Sequence, residues 1–170
     1  TAMDTIHVLH RRKHRGNITL VAPDGLLPPV QTDWHSADAL AWPEPMRASD
    51  FLGFMRRHIG DDDWQDAEWQ RRFESLRVYI CEAWQRLAPL DQARLMRRVG
   101  WLWSLARFRA GPQAHGSAQT LLASGQLTIR RDMVSGIATT GADGPHHVQL
   151  AGGGPIEADF VVNCSGAGRD

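Results

Sequence analysis

The middle of the chain carries apolar residues at helical spacing. They recur every three or four positions: Trp69, Phe73, Leu76, Ile80, Trp84 and Leu87. Such spacing places them on one face of a helix. Pro89 is predicted to end this helix, and Asp91 is predicted to cap the next one. Pro112 is predicted to open a third helix, which Gly125 closes.

Helix and strand patterns flank this segment on both sides. The pattern over residues 2–14 predicts an amphipathic helix, and the apolar run 18–21 predicts a short buried strand. After Gly125, short β-prone runs alternate with glycine-containing turns: Leu127–Arg130, Val134–Thr139, His147–Leu150 and Ala158–Cys164. The patterns together predict an α/β chain in three parts: residues 1–32, 33–124 and 125–170.

The composition argues against several classes of protein. The chain has 19 lysines and arginines against 19 aspartates and glutamates, so bulk charge gives no reason to expect a nucleic-acid partner. No apolar run approaches the ~20 residues of a membrane span, so no membrane partner is expected. The two cysteines, Cys81 and Cys164, fit a reducing compartment and predict a cytoplasmic protein without a disulfide framework.

The last predicted strand runs directly into a glycine turn. In open α/β sheets, nucleotides bind at the carboxyl edge of the strands. Cys164, Ser165 and Gly166 are therefore expected near a bound nucleotide. Cys164 has no C-x-x-C partner, and its favoured interpretation is a small buried residue of a core strand, not a redox thiol.

Three stretches together resemble a known group of proteins. They are Arg15–Val21 with Gly25–Pro28, Trp103–Pro112, and Glu157–Gly166. In this order and at these separations they are similar to segments of the bacterial FAD/NAD(P)-binding oxidoreductase-like family, whose members have two dinucleotide-binding domains. The resemblance covers essentially the whole chain.

The resemblance implies both a fold and an activity. The fold would be a partial Rossmann-like nucleotide-binding domain with a large α-helical insert and a C-terminal β-hairpin plus closing strand. The activity would be hydride transfer from NAD(P)H to FAD, then to oxygen or an unknown small-molecule substrate, with no catalytic side chain from this chain. Thr1 would directly follow the family's phosphate-binding glycine loop. The chain would then be an internal fragment, inactive without the FAD-binding segments of the same protein.

Departures from the family pattern bear on the cofactor. Ala22, Pro23 and Asp24 stand where relatives often have Ser-Arg. An acidic residue at this position accepts hydrogen bonds from the ribose of NAD and repels the 2′-phosphate of NADP, so Asp24 slightly favours NADH. Asp24 before glycine is also a common turn residue, and that interpretation is favoured.

Two arginines are the remaining candidates for cofactor contact. Arg107 and Arg109 match the family's "R-H-R" segment, although Phe108 replaces its histidine. They could hold a cofactor phosphate or an acidic substrate group, and ion pairing within the protein is an equally good explanation. The alternative to an oxidoreductase is a non-catalytic Rossmann-like binding or interaction module that has lost cofactor binding. No metal site is predicted, because the histidines of the first helix are better explained as a solvated face.

Overall fold

A computed structural model describes most of the chain, namely residues 2–33, 40–42, 44, 47–64, 66–141 and 144–166. The described part is a mixed α/β protein, as predicted. Its helices are α1 (Ala2–Arg11), α2 (Ala48–Ile59), α3 (Ala67–Arg86), α4 (Pro89–Arg107) and α5 (Pro112–Ala123). Its strands are β1 (Ile18–Ala22), β2 (Leu127–Arg131), β3 (Val134–Thr139), β4 (His146–Leu150) and β5 (Ile156–Ala158).

The chain divides into two compact units. One, the sheet unit, consists of Thr1–Leu27 with Gln113–Asp170, and the other, the helical unit, is the intervening Pro28–Pro112. This division places nearly all of α5 with the strands, whereas the predicted middle part ran from residue 33 to residue 124. The three-part division stays a prediction.

Three helices build the core of the helical unit. Half of the apolar face predicted for α3 is buried, namely Phe73, Leu76 and Leu87, and the other half is partly buried, namely Trp69, Ile80 and Trp84. A cluster of buried side chains joins α3 to its neighbours: Trp42, Phe51, Leu76, Ala83, Leu87 and Leu95. The rings of Trp42 and Phe51 stack with their centroids 5.1 Å apart, a geometry that adds attraction to the area they bury.

The start of α4 differs from the prediction. Ala88 is the N-cap residue and Pro89 is the first helical residue, so Asp91 lies inside the first turn and does not cap the helix. Proline is favoured at this position because its ring already has helical φ and its missing N–H would have no partner there. Asp91 still stabilises the helix from inside the first turn, where a negative charge faces the positive end of the helix dipole.

The strands of the sheet unit form two small sheets. β1 and β2 pair in parallel, with Ile18 opposite Leu127 and Ala22 opposite Arg131. β3, β4 and β5 form a separate antiparallel sheet in which β4 is central. The predicted C-terminal hairpin is confirmed as β3–β4. A Rossmann-like fold stays a prediction, because the parallel pair is only one of the features that define it.

The predicted closing strand over residues 158–164 is wrong. β5 ends at Ala158, and residues 160–164 have no regular structure. The side chain of Phe160 is 87% exposed and that of Val162 is 61% exposed. An apolar run becomes a strand only when a neighbouring strand satisfies its backbone and covers its side chains. Within the described residues, no strand pairs with this run.

Candidate nucleotide-binding site

The carboxyl ends of β1 and β2 meet at one edge of the parallel sheet. Ala22 ends β1 and its carbonyl oxygen accepts a hydrogen bond of 3.1 Å from the amide of Asp132, just beyond β2. Gly25 has φ 69°, and a Cβ atom there would lie 2.8 Å from the Cβ of Arg131. Glycine is therefore required both for this backbone conformation and for this close approach.

Asp24 lies in the turn at this edge. Its Oδ1 accepts a hydrogen bond of 3.1 Å from the amide of Leu26, an arrangement in which an aspartate side chain stabilises a tight turn. The turn interpretation of Asp24 thus has a structural basis. Asp24 is half-buried, and its turn holds the carboxylate at the carboxyl edge of β1. Pro23 precedes it and is exposed.

A second turn contains Ser165 and Gly166. Asn163 Oδ1 accepts hydrogen bonds from the amide of Ser165 at 3.0 Å and from its hydroxyl at 2.7 Å. Gly166 has φ 89°, a conformation open to glycine and costly for other residues. Cys164 is exposed, so the interpretation of this cysteine as a buried core residue is wrong. Its exposure follows from the missing strand pairing of residues 160–164.

The chain brings this second turn to the beginning of α1. Thr5 Oγ1 lies 4.0 Å from Cys164 Sγ, although 159 residues separate the two in sequence. The N-terminal end of a helix carries free amide groups and a partial positive charge, which favour an anion such as a phosphate. Asp4 also lies in this first turn, and its negative charge opposes an anion there. Thr1, predicted to adjoin the phosphate loop, lies outside the described residues.

The two candidate arginines belong to the helical unit and have different surroundings. Arg109 is buried and its Nη1 lies 3.2 Å from Glu74 Oε1, while its Nε donates to the carbonyl of Ala106 at 3.2 Å. Burial lowers the pKa of Arg109 below its ordinary value, and the Glu74 carboxylate opposes this shift. The ion-pair interpretation of Arg109 is thus the one with direct contacts. Arg107 is exposed and packs over the ring of Phe108.

Sequence reasoning missed the residues that end β2. Arg131 lies beside the turn of Gly25. Asp132 Oδ1 accepts hydrogen bonds from the amides of Met133 and Gly152 at 2.8 and 2.9 Å, and these bonds lower the pKa of Asp132. The strand itself was predicted, but its parallel pairing with β1 was not. Knowledge of that pairing would have placed Arg131 at the same edge of the sheet as Asp24.

The described residues contain neither a metal cluster nor a membrane span. No group of three or more histidines, cysteines, aspartates and glutamates among them is arranged to hold a metal ion. His7 and His10 instead direct their Nδ1 atoms to the hydroxyl of Ser117, at 2.9 and 3.1 Å. Within the same ranges, no helix combines the length and the apolar character needed to cross a bilayer.

No protein-family model, curated protein or solved structure matches this chain.

The described residues of this site therefore provide two glycine turns, at Gly25 and at Gly166. One turn holds Asp24 at the edge of the parallel sheet, and the other holds Ser165 and Gly166 beside the first helix. Such an arrangement can position a ligand through backbone amides and one carboxylate.

Proposed function

We propose that this chain forms part of the nucleotide-binding domain of an FAD- and NAD(P)H-dependent oxidoreductase of the cytoplasm. In this proposal the cofactors supply the redox chemistry, and the chain contributes binding and orientation. When bound, the nicotinamide cofactor supplies a hydride and the flavin accepts it. Asp24 would hold the ribose hydroxyls of the nicotinamide cofactor, and backbone amides of the turn at Gly166 would bind its phosphates.

One observation carries the proposal: the contact between Thr5 and Cys164. It joins the first turn of α1 to a glycine turn from the far end of the sequence. A helix N-terminus beside a glycine turn is the environment that nucleotide phosphates favour in α/β proteins. The parallel pairing of β1 with β2 supports the proposal further, because it gives Asp24 a place at a carboxyl edge.

A second candidate function has support of its own. The chain is then a binding or interaction module without a cofactor. Asp24 already uses one oxygen in its turn, and Arg109 is already paired with Glu74. Neither group is free in the way that a dedicated cofactor ligand would be.

Substitution of Asp24 separates the two functions. In the full-length protein, we expect Asp24→Arg to shift the ratio of kcat/KM values from NADH towards NADPH, because the new cation attracts the 2′-phosphate that the carboxylate repels. Asp24→Asn is the matched control, since its amide oxygen still accepts the hydrogen bond from Leu26 and only the charge is lost. The measurement is the rate of NADH and NADPH oxidation by each variant.

Flavin content tests the proposal independently. The purified full-length protein should show the visible absorbance of bound flavin. A colourless protein that oxidises neither nucleotide would favour the interaction module. If flavin is present but neither Asp24 variant changes the ratio, the oxidoreductase stands and Asp24 is a turn residue only.

A further inference from the structure

The helical unit contains a groove between α2 and α4. It has a volume of about 530 Å³ and is lined by seven residues. The lining of this α2–α4 groove consists of Ala48, Ser49, Leu52, Asp91, Arg94, Leu95 and Arg98. Binding sites for single small molecules typically measure about 300–1,000 Å³. The groove is therefore the right size for one such ligand.

The floor and the rim of the groove differ in chemistry. Leu95 belongs to the buried core, and Leu52 packs against that core, so the floor is apolar. Arg94 and Arg98 stand one helical turn apart on α4, and both are exposed. An apolar floor beside guanidinium groups suits a ligand that combines an apolar body with a negative charge.

The arginines along α4 outnumber the carboxylates that pair with them, which favours the binding of an anion. Arg94, Arg97 and Arg98 are clustered within little more than one turn, and like charges at this spacing disfavour a helix. Among the described residues, Asp91 is the carboxylate that pairs with this cluster, and its Oδ1 lies 3.4 Å from Arg94 Nη1. Asp91 also lines the groove, so Arg94 and Asp91 largely offset each other. Arg98 then remains as the cation that attracts a ligand.

We propose that the α2–α4 groove binds a small organic acid, with the apolar body on Leu52 and Leu95 and the carboxylate at Arg98. The site belongs to the helical unit alone and does not depend on the proposed nucleotide site. A guanidinium binds a carboxylate through two parallel N–H bonds, which orients the ligand as well as attracting it. A volume of about 530 Å³ is that of a site for a single small molecule.

Three probes test this chemistry on the full chain. 4-Phenylbutyrate has both an apolar body and a carboxylate, 4-phenyl-1-butanol lacks the charge, and acetate lacks the body. Isothermal titration calorimetry should show saturable binding of phenylbutyrate and at least about tenfold weaker binding of the alcohol, since a hydrogen bond to a charged group is worth about one tenfold step or more. Acetate should give no measurable binding.

Two arginine variants locate the site. Arg98→Gln should weaken phenylbutyrate binding about tenfold. Arg97→Gln removes the same charge from the next residue of the helix, outside the groove lining, and should leave the affinity unchanged. Both side chains are exposed, so both variants should fold, which circular dichroism verifies. The proposal is overturned if phenylbutyrate shows no saturable binding, if both variants weaken its binding alike, or if the alcohol binds as well as the acid.

Discussion

At the scale of single residues, Glu74 is a buried charge of the helical unit that pairs with two arginines. It faces the buried Arg109 on one oxygen and the half-exposed Arg77 on the other. The guanidinium of Arg109 also lies over the ring of Phe73, 5.5 Å from its centroid, while its Nη2 has no hydrogen-bond partner among the described residues. Glu74 therefore offsets the free-energy cost of burying the positive charge of Arg109.

Loss of that anion should destabilise the protein strongly. We expect Glu74→Gln to lower the free energy of unfolding by about 3–5 kcal/mol, because it leaves Arg109 charged and buried without a counter-charge. Denaturant unfolding followed by circular dichroism measures the change.

The matched control for this prediction is Arg77→Gln. Arg77 faces the same carboxylate from the surface, where its side chain is 43% exposed, and ion pairs with exposed partners contribute about 1 kcal/mol or less. Equal losses in the two variants would contradict a special role for the buried pair. Addition of Arg109→Met to Glu74→Gln should recover part of the loss, since the buried charge is then gone.

At the scale of elements, Glu68 binds two arginines in the first turns of α3. Its carboxylate accepts hydrogen bonds from Arg71 at 2.8 and 2.9 Å and from Arg72 at 3.0 Å. These bonds, that from Arg71 first, lower the pKa of Glu68 from 4.5 to about 2. A carboxylate near a helix N-terminus also interacts favourably with the helix dipole.

The lowered pKa of Glu68 predicts a pH dependence with a definite sign. A carboxyl whose pKa falls on folding stabilises the native state above its unfolded pKa and loses that contribution as the pH drops through the folded value. The window here runs from about pH 4.5 down to about pH 2. The NMR titration of the Glu68 carboxyl carbon should therefore have its midpoint near pH 2.

The Arg71→Gln variant tests the cause of this shift. It removes the largest contribution, so the midpoint of Glu68 should move up towards 4.5. An unchanged midpoint would show that the hydrogen bonds from Arg71 do not control the titration.

The same elements show what the sequence could and could not predict. Helical periodicity located α3 because its buried face is formed by neighbours three and four positions apart, as Phe73 and Leu76 are. The prediction of a strand over residues 158–164 was wrong because strand formation depends on a partner strand that is distant in sequence. Periodicity within Phe160–Val162 carries no information about that partner.

In the candidate site, too, the local structure was predictable from the sequence and the contacts between distant residues were not. Asp24 and Gly25 were predicted as a turn from local chemistry, and the Leu26 amide hydrogen bond is consistent with it. The approach of Arg131 to Gly25 depends on the parallel pairing across a long connection. Nothing in the residues around Arg131 signals that pairing.

At the scale of the whole molecule, the helical unit closes on itself. Its entry and exit meet in a parallel bridge between Val30 and Ala110. The fully buried Gln70 ties the entry to α3, with its side-chain amide donating to the carbonyl of Val30 at 2.8 Å and its oxygen accepting from the Thr32 amide at 3.1 Å. Its core cluster also lies entirely within residues 40–99.

This closure predicts that residues 28–112 fold alone. The core of the unit and the contact between its two chain ends are both formed by residues of the unit itself. The isolated segment should therefore be helical and unfold cooperatively on heating. Leu76→Ala is the control, since loss of this fully buried side chain should cost about 2–5 kcal/mol. A broad, non-cooperative transition in the unsubstituted segment would contradict independent folding.

The pairing of β1 with β2 also affects how the protein is made. Thr19 and Thr128 lie opposite each other in the two strands and are 109 residues apart in sequence. A ribosome adds about 5–20 residues per second, so β1 waits roughly 5–20 s for its partner to be synthesised. The whole helical unit emerges during that interval and can fold first. Until β2 arrives, the edge of β1 that will pair with it is open in the nascent chain, and an open edge can pair with another chain.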